Sequence, residues 1–565
     1  MTAAPSSSNR VMVIALDGAT WNLARPWMQA GHMPNLARLV AQGASADMLA
    51  ELPPSSVPNW PAFMTGKNAG KHGCVWWLKR DAAGRLDRVP LDSRSVQGDT
   101  IWSLLSALGK KVIVQNVPVT YPVEPVNGVV VSGLLTPRAA ADFVYPPDLK
   151  AKIDDEVGGY QIYPEGGYAK GREQAFLDAL IANINQHARA ADYLLRTQSW
   201  DFFILVLGPT DEGAHKYWHY LDPAHHMHNP AEAAKFGDSI QEMYAAADEA
   251  IGKLTRHAAE SDTVIVMSDH GFGPVERFFL PNNWLMARGL LRLKPGGITP
   301  LKRLLFNAGF TPRNIYPLGK QALSLLRGSK NLRQRLDPAR QGQSPLRKIF
   351  LSDADIDWAH TQAYASGFLF SQIYINLRGR DPEGIVSGSE YETLREQLIA
   401  GLLAVINPAT GQPHYARIYR REELYSGPLL DTMPDLIGHP ADFRTVDSGM
   451  DFRSNKLFET DSALSGTHRI EGLFTITGPG VRRGEQISPI RIYDLAPTIL
   501  YRLGVPVPDD MDGKVAAPAF EPDELAAYPV QIAPARNTRA SEGSVFSDED
   551  EATIKDRLRD LGYIS

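Results

Sequence analysis

Five short apolar runs, each closing on polar or glycine residues, constrain this chain more than any other feature. They are VMVIALDG (11–18), KVIVQNVP (111–118), DFFILVLGPTD (201–211), TVIVMSDHG (263–271) and GLFTITGPG (472–480). A strand that is apolar at nearly every position is buried on both faces, as in a parallel sheet covered by helices. Helix-period stretches lie between the runs, among them MPNLARLVAQG (33–43) and AFLDALIANINQHARAADYLLRT (175–197). This alternation predicts an α/β fold, a doubly wound and mostly parallel sheet with helices on both faces. In such sheets ligands bind just beyond the carboxyl ends of strands, so the polar residues closing the runs are the first candidates for chemistry.

Those closing residues form a set. Asp17 ends the first run, and TDEGAH places Asp211 and His215 four apart, on one face of a helical turn. SDHG gives Asp269 and His270 after a strongly apolar strand, and SGTHRIEG puts His468 shortly before the last one. Taken singly, an Asp after a strand is usually a turn or cap residue, and a DHG tripeptide can simply be a turn. Together they make three carboxylates and three imidazoles, a mixed set suited to zinc or manganese rather than calcium. Six ligands are too many for one catalytic ion and suit two. The His219, His225, His226 and His228 that follow His215 read as structural or solvent-facing.

The stretch LPPSSVPNWPAFMTGKNAGKHG (52–73) adds two adjacent serines between prolines at a helix entrance. Ser55 and Ser56 have a plain reading as helix N-caps. The sharper reading is a nucleophile, since a helix N-terminus also stabilises anions.

The order of these motifs resembles the alkaline phosphatase superfamily, most closely its type I phosphodiesterase/nucleotide pyrophosphatase-like branch. The likeness includes ALDGATW, MPNLARL, the SSVPNWPAFMTGKNAGKHG opening, TDEGAHKYW, MSDHGFGP, GTHRIEGLF and YDLAPTILYRLGVPVPDDMDGK (493–514). It implies two divalent ions, zinc foremost and manganese as the alternative. Asp211, His215 and His468 would hold one ion; Asp17, Asp269, His270 and the Ser56 oxygen would hold the other. The resemblance makes Ser56 the nucleophile of a phosphohydrolase acting on a small-molecule phosphate ester, with a phosphoserine intermediate and a diester or pyrophosphate as substrate. A serine hydroxyl needs an adjacent base or metal to attack, and two ions can steady the attacking and leaving oxygens.

One position departs from the branch. Where an asparagine usually follows the HG and contacts a phosphoryl oxygen, this chain has Trp77, leaving Asn59, Lys71 or His72 as substitutes. Trp76 and Trp77 read as packing. A sulfatase shares the fold, but its Cys/Ser-x-Pro-x-Arg pattern is broken here, where Ser56 is followed by Val57, Pro58, Asn59 and Trp60. Phosphomonoesterase or phosphoglycerate mutase-like phosphomutase activity is the alternative chemistry, and an inactive metal-stabilised binding protein the non-enzymatic one.

Residues 10–515 are expected to form the alkaline phosphatase-like domain and 516–565 a tail ending in a helix, with Ser547 three residues before Asp550. Within the domain, 285–350 breaks the pattern. Its basic stretch 301–336, with apolar residues at roughly helical spacing, predicts a helical insertion or cap. The plain reading is a solvated basic helix pair; peripheral contact with a lipid or anionic substrate is the second. A net charge of −6 gives no global reason to expect nucleic-acid binding. The single Cys74 excludes an intrachain disulfide framework. With a polar N-terminus and a first apolar run too short for a signal or membrane span, a cytoplasmic protein without a transmembrane segment is expected.

Overall fold

The computed structural model describes residues 10–81, 84–85, 89–315, 349–449, 452–460, 464–536 and 546–561. All five apolar runs form strands of one ten-stranded sheet. The labelled strands of the molecule are β1 (Val11–Leu16), β2 (Ala44–Leu49), β3 (Val112–Gln115), β4 (Gly128–Val131), β5 (Phe202–Leu207), β6 (Thr263–Met267), β7 (Gly271–Pro274), β8 (Gly466–Arg469) and β9 (Glu471–Thr477). Across the sheet the order is β2-β9-β6-β1-β5-β3-β4, with short strands at both edges. From β6 to β4 every pairing is parallel.

The last apolar run departs from the parallel expectation, because β9 is antiparallel to both β6 and β2. The chain leaves the sheet at the carboxyl end of β6 and returns at that same end, through the antiparallel β7–β8 pair. A strand that enters there must run backwards.

The apolar runs are buried on both faces through strict alternation. Val11, Val13 and Ala15 of β1 join one core; Met12, Ile14 and Leu16 join the other. Strand β5 divides the same way, with Phe202, Ile204 and Val206 against Phe203, Leu205 and Leu207. Each Val, Ile, Leu, Phe or Met among them contributes about 1.5–3 kcal/mol on burial. The covering helices include α1 (Pro34–Gln42), α3 (Glu173–Thr197) and α5 (Ser239–Leu254), packed on the second core. Two more helices carry site residues, α2 (Ser56–Thr65) and α4 (Pro209–Leu221).

Between β7 and β8 the chain builds two four-stranded sheets and a third core around Phe279, Trp284, Tyr374 and Leu398. This excursion is mixed α/β and longer than the helical segment 285–350 expected from the sequence. Helix α6 (Thr299–Asn307) is part of it. The basic stretch 301–336 lies within the described residues only up to 315. The tail ends in α7 (Asp548–Leu561), where the Ser547 hydroxyl donates to Asp550 and accepts from the Asp550 amide, as the spacing predicts. No described helix is long and apolar enough to cross a membrane.

Candidate metal centre

The strand ends converge. Asp17 follows β1, and its amide donates to the Leu207 carbonyl that closes β5 (3.1 Å). Asp211 and His215 lie in the first turns of α4, which starts directly after β5, while Asp269 and His270 fill the turn from β6 to β7. His468 sits in β8, whose pairing with β7 sets Phe272 opposite His468. All six side chains are buried.

Asp211 is the centre of the arrangement. Its Oδ1 lies 3.2 Å from His468 Nε2 and 3.9 Å from His270 Nε2, and its Oδ2 lies 3.5 Å from His215 Nε2. Asp211, His215 and His468 form one group able to hold a cation, as the resemblance implied. The second group is Asp17, Asp211 and His270. Asp269 approaches that group through Oδ2, 3.4 Å from His270 Nε2, and its Oδ1 accepts from the Gly18 amide. Thus Asp211 stands between the two groups, a sharing that residue spacing does not reveal.

Three backbone carbonyls fix the histidine tautomers. His215 Nδ1 donates to Gly466 O (2.9 Å), His468 Nδ1 to Pro54 O (3.0 Å) and His270 Nδ1 to Gly271 O (3.1 Å). A carbonyl only accepts, so each Nδ1 carries the proton and each Nε2 offers a lone pair to the cluster. Sequence reasoning missed these orienting groups, and it missed Trp60, whose indole N–H donates to Asp17 Oδ2 (3.2 Å).

The electrostatics describe a site built for positive charge. Burial holds all three histidines below their ordinary value, His215 down to about 3 and His270 to about 4, so each is a neutral ligand at neutral pH. Burial also pushes Asp269 up to about 7, with the Asp211 charge adding to it, and raises Asp17 with help from Asp269 and Asp211. Burial would raise Asp211 too, but His215, His468 and His270 outweigh it and hold it low. The unprotonated Nε2 atoms of His215 and His468 face each other at 3.1 Å beside an ionised carboxylate. Asp269 Oδ2 is buried without a hydrogen-bond donor. A divalent cation relieves both features, so the donor set fits a metal of the zinc or manganese kind.

Ser56 stands at the edge of the second group, its Oγ 3.5 Å from both Asp17 Oδ1 and His270 Nε2. Ser55 occupies the N-cap position of α2 but makes no capping bond, and its Oγ is buried without a partner. The capping explanation for the serine pair therefore does not describe this turn.

The other sequence candidates are committed elsewhere. The Asn59 amide side chain bonds the Glu51 amide and the carbonyls of Ser55 and Glu51, Lys71 pairs with Asp512 (2.6 Å), and His72 faces Glu51 (3.4 Å). Trp76 and Trp77 belong to the first core. Among the described residues His219, His225, His226 and His228 join no metal-capable group.

Beyond the carboxyl ends of β1, β3, β4 and β5 lies a cavity of about 60 Å³. Asp17 and Asp211 line one side, Asn116 and His187 another, and Arg557 and Leu561 of α7 close it. Arg557 donates to Glu212 (2.6 Å), the neighbour of Asp211, so the C-terminal helix reaches α4 directly.

Comparison with known proteins adds a family. Residues 11–446 match the model of the type I phosphodiesterase/nucleotide pyrophosphatase family; His468 lies beyond the matched span. No curated protein is significantly similar in sequence. Among solved structures, an inactive variant of murine ectonucleotide pyrophosphatase/phosphodiesterase 5 in complex with AMP is 12% identical, with a TM-score of 0.45, over 88% of this chain and 96% of that one. The human ectonucleotide pyrophosphatase/phosphodiesterase 5 is likewise 12% identical, with a TM-score of 0.45, over 90% and 98%.

Proposed function

Because this chain belongs to the type I phosphodiesterase/nucleotide pyrophosphatase family and is a hydrolase of that kind, we propose that Ser56 is its nucleophile. The reaction is cleavage of a phosphodiester or pyrophosphate bond in a small-molecule ester, through a phosphoserine. Two divalent ions, zinc foremost, would be held by Asp211, His215 and His468 and by Asp17, Asp269 and His270. The observation that carries this reading is the position of Ser56 Oγ, 3.5 Å from both Asp17 and His270 at the entrance of α2.

When bound, the ions supply Lewis acidity toward the phosphoryl and leaving oxygens. The protein's own residues do the rest. With the His270 Nε2 lone pair reserved for the ion, Asp17 Oδ1 is the protein group that takes the Ser56 hydroxyl proton as Oγ attacks phosphorus, and that proton passes on to the leaving oxygen. The bond to the ester leaving oxygen breaks as the Oγ–P bond forms. Water then attacks the phosphoserine, releases a phosphate monoester and returns the proton to Ser56. Burial excludes bulk water and strengthens each of these interactions.

A diester is favoured over a monoester on charge. Lys67 and Lys71, the cations nearest Ser56 in the following sequence, are paired with Asp510 and Asp512. They are not arranged to neutralise the extra charge of a monoester dianion. The test compares kcat/KM for bis(p-nitrophenyl) phosphate and p-nitrophenyl phosphate with zinc or manganese supplied. The diester should be the better substrate; a clear monoester preference overturns this reading. A cytoplasmic setting belongs to the same proposal, supported by the single buried cysteine.

A further inference from the structure

Helix α6 is turned against the usual sense of an amphipathic helix. Its buried positions are Thr299, Lys302 and Phe306, two of them polar. The Thr299 hydroxyl donates to Asp355 Oδ1 (2.8 Å) and the Lys302 ammonium to Asp355 Oδ2 (2.9 Å). This buried ionic anchor fixes the rotation of the helix, and its leucines face outward. Leu301 is 53% exposed and Leu304 66%, with Ile298, just before the first turn, at 56%. Positions three apart share a face, so the three make one apolar stripe. Single exposed leucines need no explanation; a stripe of three large side chains, held outward by a buried ion pair, does.

The charge around the stripe identifies what covers it. From Arg277 to residue 315 the chain holds seven Lys or Arg and no Asp or Glu, although the whole chain's net charge is −6; three of the seven, Arg277, Lys302 and Arg313, pair with Glu276, Asp355 and Glu459. Arg292, Lys294 and Arg303 are exposed there. Two copies meeting through this face would bring like charges together, which disfavours self-association. Leucine and isoleucine offer a nucleic acid base no aromatic face to stack on, which disfavours single-stranded nucleic acid. A bilayer surface rich in anionic phospholipid matches both halves, the acyl boundary taking the leucines and the headgroups the cations.

We propose that the outer face of α6 is a peripheral docking surface for an anionic phospholipid bilayer. It is independent of the hydrolytic reading. The test is co-sedimentation of the full-length protein with phosphatidylcholine vesicles, with and without phosphatidylglycerol. Binding should require phosphatidylglycerol, weaken with salt, and fall at least about tenfold in Leu301→Glu/Leu304→Glu. Turnover of soluble bis(p-nitrophenyl) phosphate should be unchanged, because neither leucine touches the metal centre. Arg292→Ala/Arg303→Ala should flatten the salt dependence while leaving the leucines in place. Failure of the wild type to bind, equal binding by the Glu variant, a dimer that the same substitutions dissolve, or preference for nucleic acid over vesicles would each overturn the proposal.

Discussion

Replacing Arg557 with Ala tests whether the C-terminal helix is part of the catalytic architecture. The Arg557 and Glu212 side chains are 8% and 10% exposed and 2.6 Å apart, so the pair is desolvated. Arg557 also lies over the Tyr163 ring, 5.0 Å from its centroid. Removing one partner of a buried pair costs about 3–5 kcal/mol, mostly from the charge left behind. That cost does not pass in full to global stability. Helix α7 is docked by Ile554, Leu558 and Leu561, all buried, worth about 5–9 kcal/mol gross by side-chain burial. Ordering the helix opposes this, so its docking leans on these three side chains and on the Arg557–Glu212 pair. The cheaper response to Arg557→Ala is therefore undocking of α7 rather than unfolding of the domain. Hydrogen exchange across 548–561 should lose about 10²-fold of its protection, since 1.4 kcal/mol is tenfold. The melting temperature of the sheet should move little. Turnover should drop, because Arg557 and Leu561 wall the cavity that Asp17 and Asp211 line. Glu212→Gln/Arg557→Met removes both charges and should restore most of the protection. Unchanged exchange in Arg557→Ala, or equal loss in the double variant, would refute the argument.

Asp269→Ala and His468→Ala should remain soluble and cooperatively folded while losing at least about 10²-fold in rate; near-normal turnover of both after chelation and zinc readdition would sink the two-ion assignment. Mass spectrometry of a trapped intermediate should find phosphate on Ser56. Ser55→Ala should leave activity and stability nearly intact, as Ser55 Oγ makes no bond; label on Ser55 would reassign the nucleophile. Metal-free protein should show a specific pH response, because Asp269 is raised to about 7 from 3.8. The folded form then holds a proton the unfolded chain has lost, so this contribution is full below pH 3.8 and disappears as pH rises through about 7. Ion binding at pH 6 should displace that proton, and any held by the likewise raised Asp17, as a net proton release measured by calorimetry in two buffers of different ionisation enthalpy. Uptake without proton release would contradict it.

The local rules were legible in the chain. A run such as VMVIALDG has no polar residue on either face before Asp17, which suits a strand covered on both sides, and its first acid marks where the strand ends. That logic places Asp17, Asp211, Asp269 and His270 at strand ends, and the i, i+4 spacing puts Asp211 and His215 on one helical face. The Ser547–Asp550 cap is local in the same way.

What the tertiary structure alone decided depends on where distant segments return. His468 Nε2 is turned to the cluster by the carbonyl of Pro54, 414 residues away, and His215 by Gly466, 251 away. The partners of Asn59, Lys71 and His72, namely Ser55 and Glu51, Asp512 and Glu51, are likewise not written in residue type. The reversal of β9, the central place of Asp211 and the closure of the cavity by Arg557 share this origin. Periodicity and residue chemistry act over a few neighbouring residues and are written in the sequence. Orientation of a buried side chain is set by whichever backbone carbonyl or counter-charge packs against it, and that partner is chosen by the path of the whole chain.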